Sequence, residues 1–253
     1  MAKHPTLILA SGSPQRRQLL TAAGYRFEVI IPHESAECGI CSATGPAGLV
    51  AELALRKGAN VVGQILANEQ KTTDHGCLIV ACDTVAECRG EILGKPVDEA
   101  HARQMLLRLR GNDHRVYSGL CVWLLGAPGA KVGAPGAKVG APGAKVGAPD
   151  AKVGAPVAKV GTPGATEKSA QDDDRPSPES PPEVRVDITH LRMECLSDQK
   201  IEEYLASDLW QGKAGSFGYQ DRPGWLQITQ GSESNVIGLP MELLADMLSH
   251  HGL

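Results

Sequence analysis

The sequence predicts an α/β fold, a mixed twisted sheet covered by helices. Three observations predict it. Strand-like apolar runs alternate with segments of helical period, two long strands in the middle form a hairpin, and the Gly/Ser-rich polar strings fall at strand ends, where ligands gather in open α/β sheets. TLILA (6–10) reads as a buried strand, and Gln15 to Ala23 as a helix that ends at Gly24, its C′ residue. RFEVII is a second strand with period two. From Gly48 to Leu66 the apolar positions Leu49, Leu53, Val61, Val62 and Ile65 keep a helical spacing. CLIVACDTVAEC is a long strand that continues through a CRGE turn into ILGK. A helix follows from Val97 to Leu109, started by Asp98 or by the Pro96 turn. HRVYSGLCVWLL and VRVDITHLRMECL are the hairpin strands, Asp198 to Leu205 a short helix, WLQITQ a strand and Pro240 to Ser249 the final helix.

Between the hairpin strands lies a repeat. Residues 126–160 are copies of one seven-residue unit, GAPGAKV and then GAPDAKV and GAPVAKV, which run on through GTPGATE into SAQDDDRPSPESPPE. A period of seven suggests a coiled coil, but each unit carries Pro and Gly and lacks a pair of large apolar residues. Such a tract has too little apolar surface to offset the entropy of ordering. It is expected to be a disordered insertion over 126–183, leaving 1–125 and 184–253 as one domain of about 190 residues.

Composition narrows the function classes. A formal charge of −4 over 253 residues argues against bulk binding to nucleic acid or to an anionic membrane. No window supplies the apolar length of a spanning helix, and the N-terminus passes directly into a strand, so a soluble cytoplasmic protein is expected. Seven cysteines, an odd number, fit no closed disulfide framework. Cys77, Cys82, Cys88, Cys121 and Cys195 lie in or beside apolar runs and are expected to act as small hydrophobes. Cys38 and Cys41 have the spacing of a metal or redox pair, but no second such pair accompanies them.

The polar strings carry the chemistry of a triphosphate site. In SGSPQRR a strand gives way to a helix, so Ser11 and Ser13 can meet phosphate at a helix N-terminus while Arg16 supplies a bidentate fork. Asp83 sits inside the apolar strand, where a carboxylate is costly unless it is paired or binds a metal. Glu37 is a second acidic residue just beyond a strand. Lys57 lies on a helix and Lys95 follows GEILG, which mimics a P-loop but has the wrong glycine spacing and Pro96 in place of Ser/Thr. In GKAGSFGYQ the small residues permit close backbone approach, with Lys213 as a cation and Gln220 as an amide able to pair with a base edge. His114 precedes a strand, where stabilising a turn is expected at least as much as catalysis, and no Ser/His/Asp arrangement is credible.

Taken in order, LASGSPxRxxLL, E-then-AxxKG, DTV, GKPxDxxxAxxML, GxxHxVxSG, TxLxM, LSxxxIxxYL, KAGxxGxQ and NVxGLP, the strings over 6–125 and 184–250 resemble the Maf family, the septum-formation-inhibitor homologues. The resemblance implies a Maf/ITPase-like fold and a house-cleaning nucleoside triphosphate pyrophosphatase. It implies a divalent cation, Mg²⁺ or Mn²⁺, between Asp83, Glu37 and the phosphates, with Asp83 taking the proton of a water that attacks the α-phosphorus. Arg16, Lys57, Lys95 and Lys213 would neutralise the polyphosphate. Thr84 and Gln220 agree with the family branch acting on dTTP and UTP, whereas Gln15 stands where that branch has Arg. The alternatives are a 7-methyl-GTP-type pyrophosphatase and a non-catalytic nucleotide-sensing or division-regulating protein. Gly212 also departs, replacing the acidic residue of the family's DKAG string. A homodimer is compatible with all of these readings.

Overall fold

The structure, a computed structural model, describes residues 4–37, 44–67, 76–126 and 181–253, with the side chain of Glu37 excepted. Cys38, Cys41 and nearly all of the repeat tract lie outside the described residues. The strands are β1 (Thr6–Ala10), β2 (Glu28–Val29), β3 (Cys77–Cys88), β4 (Glu91–Leu93), β5 (Asp113–Leu125), β6 (Glu183–Met193) and β7 (Leu226–Gln230). They form one sheet in the order β2-β1-β3-β5-β6-β7, with β4 paired to β3. β1 runs parallel to β2 and β3, and the other pairs are antiparallel, which makes the mixed sheet that the alternation predicts. The helices are α1 (Pro14–Ala22), α2 (Gly45–Leu66), α3 (Glu99–Leu109), α4 (Asp198–Leu205), α5 (Glu233–Ile237) and α6 (Met241–Ser249). None of the described helices is long and apolar enough to cross a membrane.

Side chains alternate across a strand, so β3 feeds two layers at once. Cys77, Ile79 and Ala81 pack with Ala54, Val61 and Ile65 of α2. On the opposite face Leu78, Val80 and Cys82 join Leu20 of α1 and Leu244, Met247 and Leu248 of α6. Farther along that second face, Ala86 and Cys88 join a separate cluster with Met105 and Leu106 of α3 and Ile201 and Tyr204 of α4. Thr84 lies between the two clusters.

The edge of β3 is interrupted at the same level. Pairing with β1 ends at Ala10 opposite Ala81, and pairing with β4 begins only at Ala86 opposite Leu93. Among the described residues, 82–85 therefore have no strand neighbour on that side. Their other edge is held by β5, with Gly119 opposite Asp83 and Ser118 opposite Thr84. Gly119 has no room for a side chain: a Cβ there would lie 2.1 Å from the Val50 carbonyl oxygen of α2. Its absence lets α2 close onto the sheet beside Asp83.

Several local expectations hold at the atomic level. Asp98 starts α3, its carboxylate accepting from the His101 amide at 2.7 Å. The CRGE turn is a tight hairpin in which Arg89 and Gly90 both take positive φ, the geometry of a two-residue primed turn. Others change. β2 contracts from RFEVII to two exposed residues, because only Ile8 and Leu9 of β1 offer it partners. The α5 turn is too short to show a helical period. Cys195 is exposed, whereas Cys77, Cys82, Cys88 and Cys121 are buried as expected.

Candidate active site

The interrupted edge of β3 opens into a cleft of about 640 Å³. Every residue predicted to form the site lines it except Glu37, whose side chain lies outside the described residues. Ser11, Ser13, Gln15 and Arg16 come from the β1–α1 turn, Lys57 from α2, and Asp83 and Thr84 from β3. Lys95 comes from the segment after β4, and Lys213 and Gln220 from the loop between α4 and β7.

The first wall is a helix start. Ser13 caps α1, its hydroxyl accepting from the Arg16 amide at 3.4 Å and donating to Gln15 Oε1 at 3.0 Å. Gln15 is thereby tied to the turn. Arg16 reaches across the cleft floor: Nε donates to the Gly238 carbonyl at 2.7 Å, Nη1 to Ser11 Oγ at 3.3 Å and Nη2 to Thr84 Oγ1 at 3.3 Å. These bonds join α1, β1, β3 and the end of α5 at one guanidinium, a planar fork suited to such bridging. Thr84 Oγ1 is also 2.8 Å from the buried Ser118 Oγ, which lies 3.4 Å from the carbonyl oxygen of Asn235.

The central pair is Lys57 and Asp83. Lys57 is not a surface lysine but a buried one, and its Nζ lies 2.6 Å from Asp83 Oδ1. Burial of the carboxylate on an apolar strand is thus offset by an opposite charge with a short hydrogen bond. Among the described residues Oδ2 has no hydrogen-bond partner.

The far wall is the Lys213 loop. Lys213 Nζ donates to both carboxylate oxygens of Asp221, at 2.6 and 2.5 Å, and Asp221 also accepts from Tyr204 Oη at 2.6 Å and the Gly218 amide at 3.0 Å. Burial, and then the Asp221 hydrogen bond, raise the Tyr204 phenol far above its ordinary pKa. The loop is pinned to the segment after β4 by the Gly215 amide, which donates to the Gly94 carbonyl at 3.0 Å. Gly215 has a φ of 66° there, which favours glycine. Lys95 and Gln220 are exposed at the rim and make no side-chain hydrogen bond within the described residues.

Sequence reasoning passed over three participants. Asp221 directly follows Gln220 in the string that drew notice, Gly238 lies in NVxGLP, and Ser118 in GxxHxVxSG. Their roles depend on contacts across the fold, which no local pattern displays. His114 is buried and its Nδ1 lies 3.4 Å from the Asn112 carbonyl oxygen, a turn contact as expected, but the residue also lines the cleft. Burial lowers its pKa below the ordinary value.

The donor set around Asp83 suits a hard cation. Oxygen from Asp83, Ser11 and Thr84 dominates, and no cluster of three or more His, Cys, Asp or Glu side chains occurs among the described residues.

The family of Maf-like proteins matches residues 6–134 and 172–251 of the chain. The chain belongs to the Maf-like family. Its relatives include a dTTP/UTP pyrophosphatase of Rhodopirellula baltica, 40% identical over 97% of this chain and 82% of that protein. Another dTTP/UTP pyrophosphatase, from Pelotomaculum thermopropionicum, is 28% identical over 97% of this chain and 96% of its own length. A third, from Bacillus cereus, is 28% identical over 98% of this chain and 96% of its own. Among Maf-like proteins this chain thus sits beside relatives that bear one activity name, and its motifs come together in one cleft.

Proposed function

We propose that this Maf-like protein hydrolyses nucleoside triphosphates, dTTP and UTP foremost, to the monophosphate and pyrophosphate. One observation carries the reading: a largely shielded carboxylate, Asp83, 14% exposed and paired to the buried Lys57, faces a cleft that Arg16, Lys57, Lys95 and Lys213 also line. A polyphosphate needs that arrangement of cations, and a water attacking it needs a proton acceptor. The names of the relatives give the substrates.

In this reading Lys57 fixes Asp83 through Oδ1 and leaves Oδ2 to accept the proton of the attacking water. The water oxygen bonds to the α-phosphorus as the bond from that phosphorus to the bridging oxygen breaks, and pyrophosphate leaves with the electron pair. Lys95, unpaired among the described residues, and Lys213 meet the developing charge on the leaving group. Arg16 is held too firmly by Gly238, Ser11 and Thr84 to swing, so it presents a fixed positive charge at the floor. A divalent cation, Mg²⁺ or Mn²⁺, would be held by Asp83 and Glu37 together with phosphate oxygens, and would supply charge neutralisation. Since phosphoryl transfer asks for little covalent help, positioning and electrostatics provide most of the rate.

Gln15 matches neither family branch, since the dTTP/UTP branch carries Arg and the 7-methyl-GTP branch Trp at this position, and the loss of that cation points to relaxed selectivity. The test is pyrophosphate release from dTTP, UTP, CTP, GTP and 7-methyl-GTP, with and without Mg²⁺. Preference for dTTP and UTP supports the proposal. Preference for 7-methyl-GTP overturns the specificity and leaves the reaction, and no release from any nucleotide overturns both.

A further inference from the structure

The Lys213 loop contains a carboxylate that neither the motif set nor the activity assigns. Gly212, where the family string has an acidic residue, is exposed, with a φ of 70°. Asp221 lies at the other end of the same loop. Its side chain is 13% exposed and that of Lys213 is 22% exposed, so the pair is largely shielded from solvent at the cleft wall. A carboxylate buried to that degree is costly unless its lone pairs are used, and here three donors use them: the Lys213 ammonium, the Tyr204 hydroxyl and the Gly218 amide. Tyr204 is fully buried and packs at a tilt against Phe217 and Trp225, ring centroids 5.1 and 5.6 Å away. Asp221 is therefore anchored to the core, and Lys213 is anchored to Asp221.

We infer that Asp221 is the positioning residue of Lys213. An ammonium has three N–H donors. Two are spent on Asp221, and the third has no acceptor among the described residues, which leaves it for an anion in the cleft. Without Asp221 a lysine on a loop would sample many rotamers, and immobilising it would cost binding free energy each time substrate entered. With Asp221 that order exists before binding. The same carboxylate gathers the Gly218 amide, so the backbone ahead of Gln220 is set together with Lys213.

The inference rests on the pyrophosphatase reading, so wild-type protein must first release pyrophosphate from dTTP or UTP; failure there rejects the reading itself. Given that activity, Asp221→Asn should raise KM about 10-fold with kcat changed far less, as expected when a binding cation loses its preorganisation. Lys213→Ala should raise KM at least as much, and the double variant no further, since residues acting through one another are not additive. Tyr204→Phe removes one of three donors to the same carboxylate and should lower the thermal midpoint and raise KM by less than Asp221→Asn, because the Lys213 and Gly218 bonds remain. Asp221→Glu keeps the charge and should recover most of the KM, which also serves if the Asn variant does not fold. An unchanged KM in folded Asp221→Asn, additive effects in the double variant, or a Tyr204→Phe defect in KM equal to that of Asp221→Asn would each overturn the assignment.

Discussion

Replacing Asp83 by Asn keeps the shape of the side chain and a carbonyl acceptor for Lys57, and removes only the charge and the basic oxygen. Because the Lys57 and Asp83 side chains are 8% and 14% exposed, the ammonium loses the carboxylate charge beside it while staying almost as buried as a core residue. Breaking a buried pair from one side costs about 3–5 kcal/mol, and the retained amide hydrogen bond places this case near the lower end. In a domain of this size that lowers the thermal midpoint by about 6–12 °C. The effect on turnover is larger in kind: loss of the general base should reduce kcat at least ~100-fold. The two effects separate in a cycle with Lys57→Met. Each single variant should lose stability, whereas Asp83→Asn/Lys57→Met should regain much of it, because a neutral pair leaves no buried charge. Turnover should stay low in the double variant. Thermal unfolding and steady-state pyrophosphate release on all four proteins give the answer. Near-wild-type kcat in Asp83→Asn would refute the proton-acceptor role, and a double variant as unstable as the sum of the singles would refute the energetic account of the pair.

Four other outcomes are expected. Gln15→Arg should lower KM for dTTP or UTP by the equivalent of about 1–2 kcal/mol, a charge-assisted contact restored, and Thr84→Ala should erode discrimination between pyrimidine and purine triphosphates; steady-state kinetics on the five nucleotides reads both. Joining the hairpin directly, by deleting residues 127–182 with a short Gly/Ser link, should leave activity and thermal midpoint nearly unchanged, since loop length enters stability only logarithmically; a collapse of either would mean that the tract packs on the domain. His114 has a folded pKa held below its ordinary value of 6.5 by burial, so the unfolded chain takes up a proton first as pH falls. Its contribution is complete above that value and is lost as pH drops toward the folded pKa, and denaturant unfolding of His114→Gln across pH 5 to 7.5 should show a flatter dependence than wild type (the window follows from the ordinary His range).

Much of the architecture was legible because long strands and helices announce themselves by period. CLIVACDTVAEC and HRVYSGLCVWLL are too long and apolar to be anything else, and Asp98 is a helix cap by residue type alone. The polar strings were legible for a different reason: small residues beside charges at strand ends leave few structural uses. What stayed hidden depends on distance in the chain. Lys57 and Asp83 are 26 residues apart and Arg16 and Gly238 are 222 apart, and no local pattern says that they touch. β2 was read too long because alternation in RFEVII reports a tendency, whereas pairing needs a neighbour of equal length. α5 escaped because five residues do not complete two helical turns, and its burial comes from Ser234 and Asn235, polar residues that periodicity ignores.

The register of β5 and β6 has a consequence for how this gene can change. In a tight hairpin the turn sets which residues face each other, and a single inserted residue can shift every side chain to the wrong face. Here Val122 faces Glu183, Ser118 faces Asp187 and Val116 faces Thr189, and that match is fixed by the side chains and by β3 and β7 on either flank. The open end of the hairpin lies where Leu125 meets Cys77, six residues up β3 from Asp83. At strand spacing that is about 20 Å from the chemistry. Gain or loss of whole heptapeptide units by replication slippage would enter the chain between Leu125 and Glu183, and the facing pairs of β5 and β6 would keep their register.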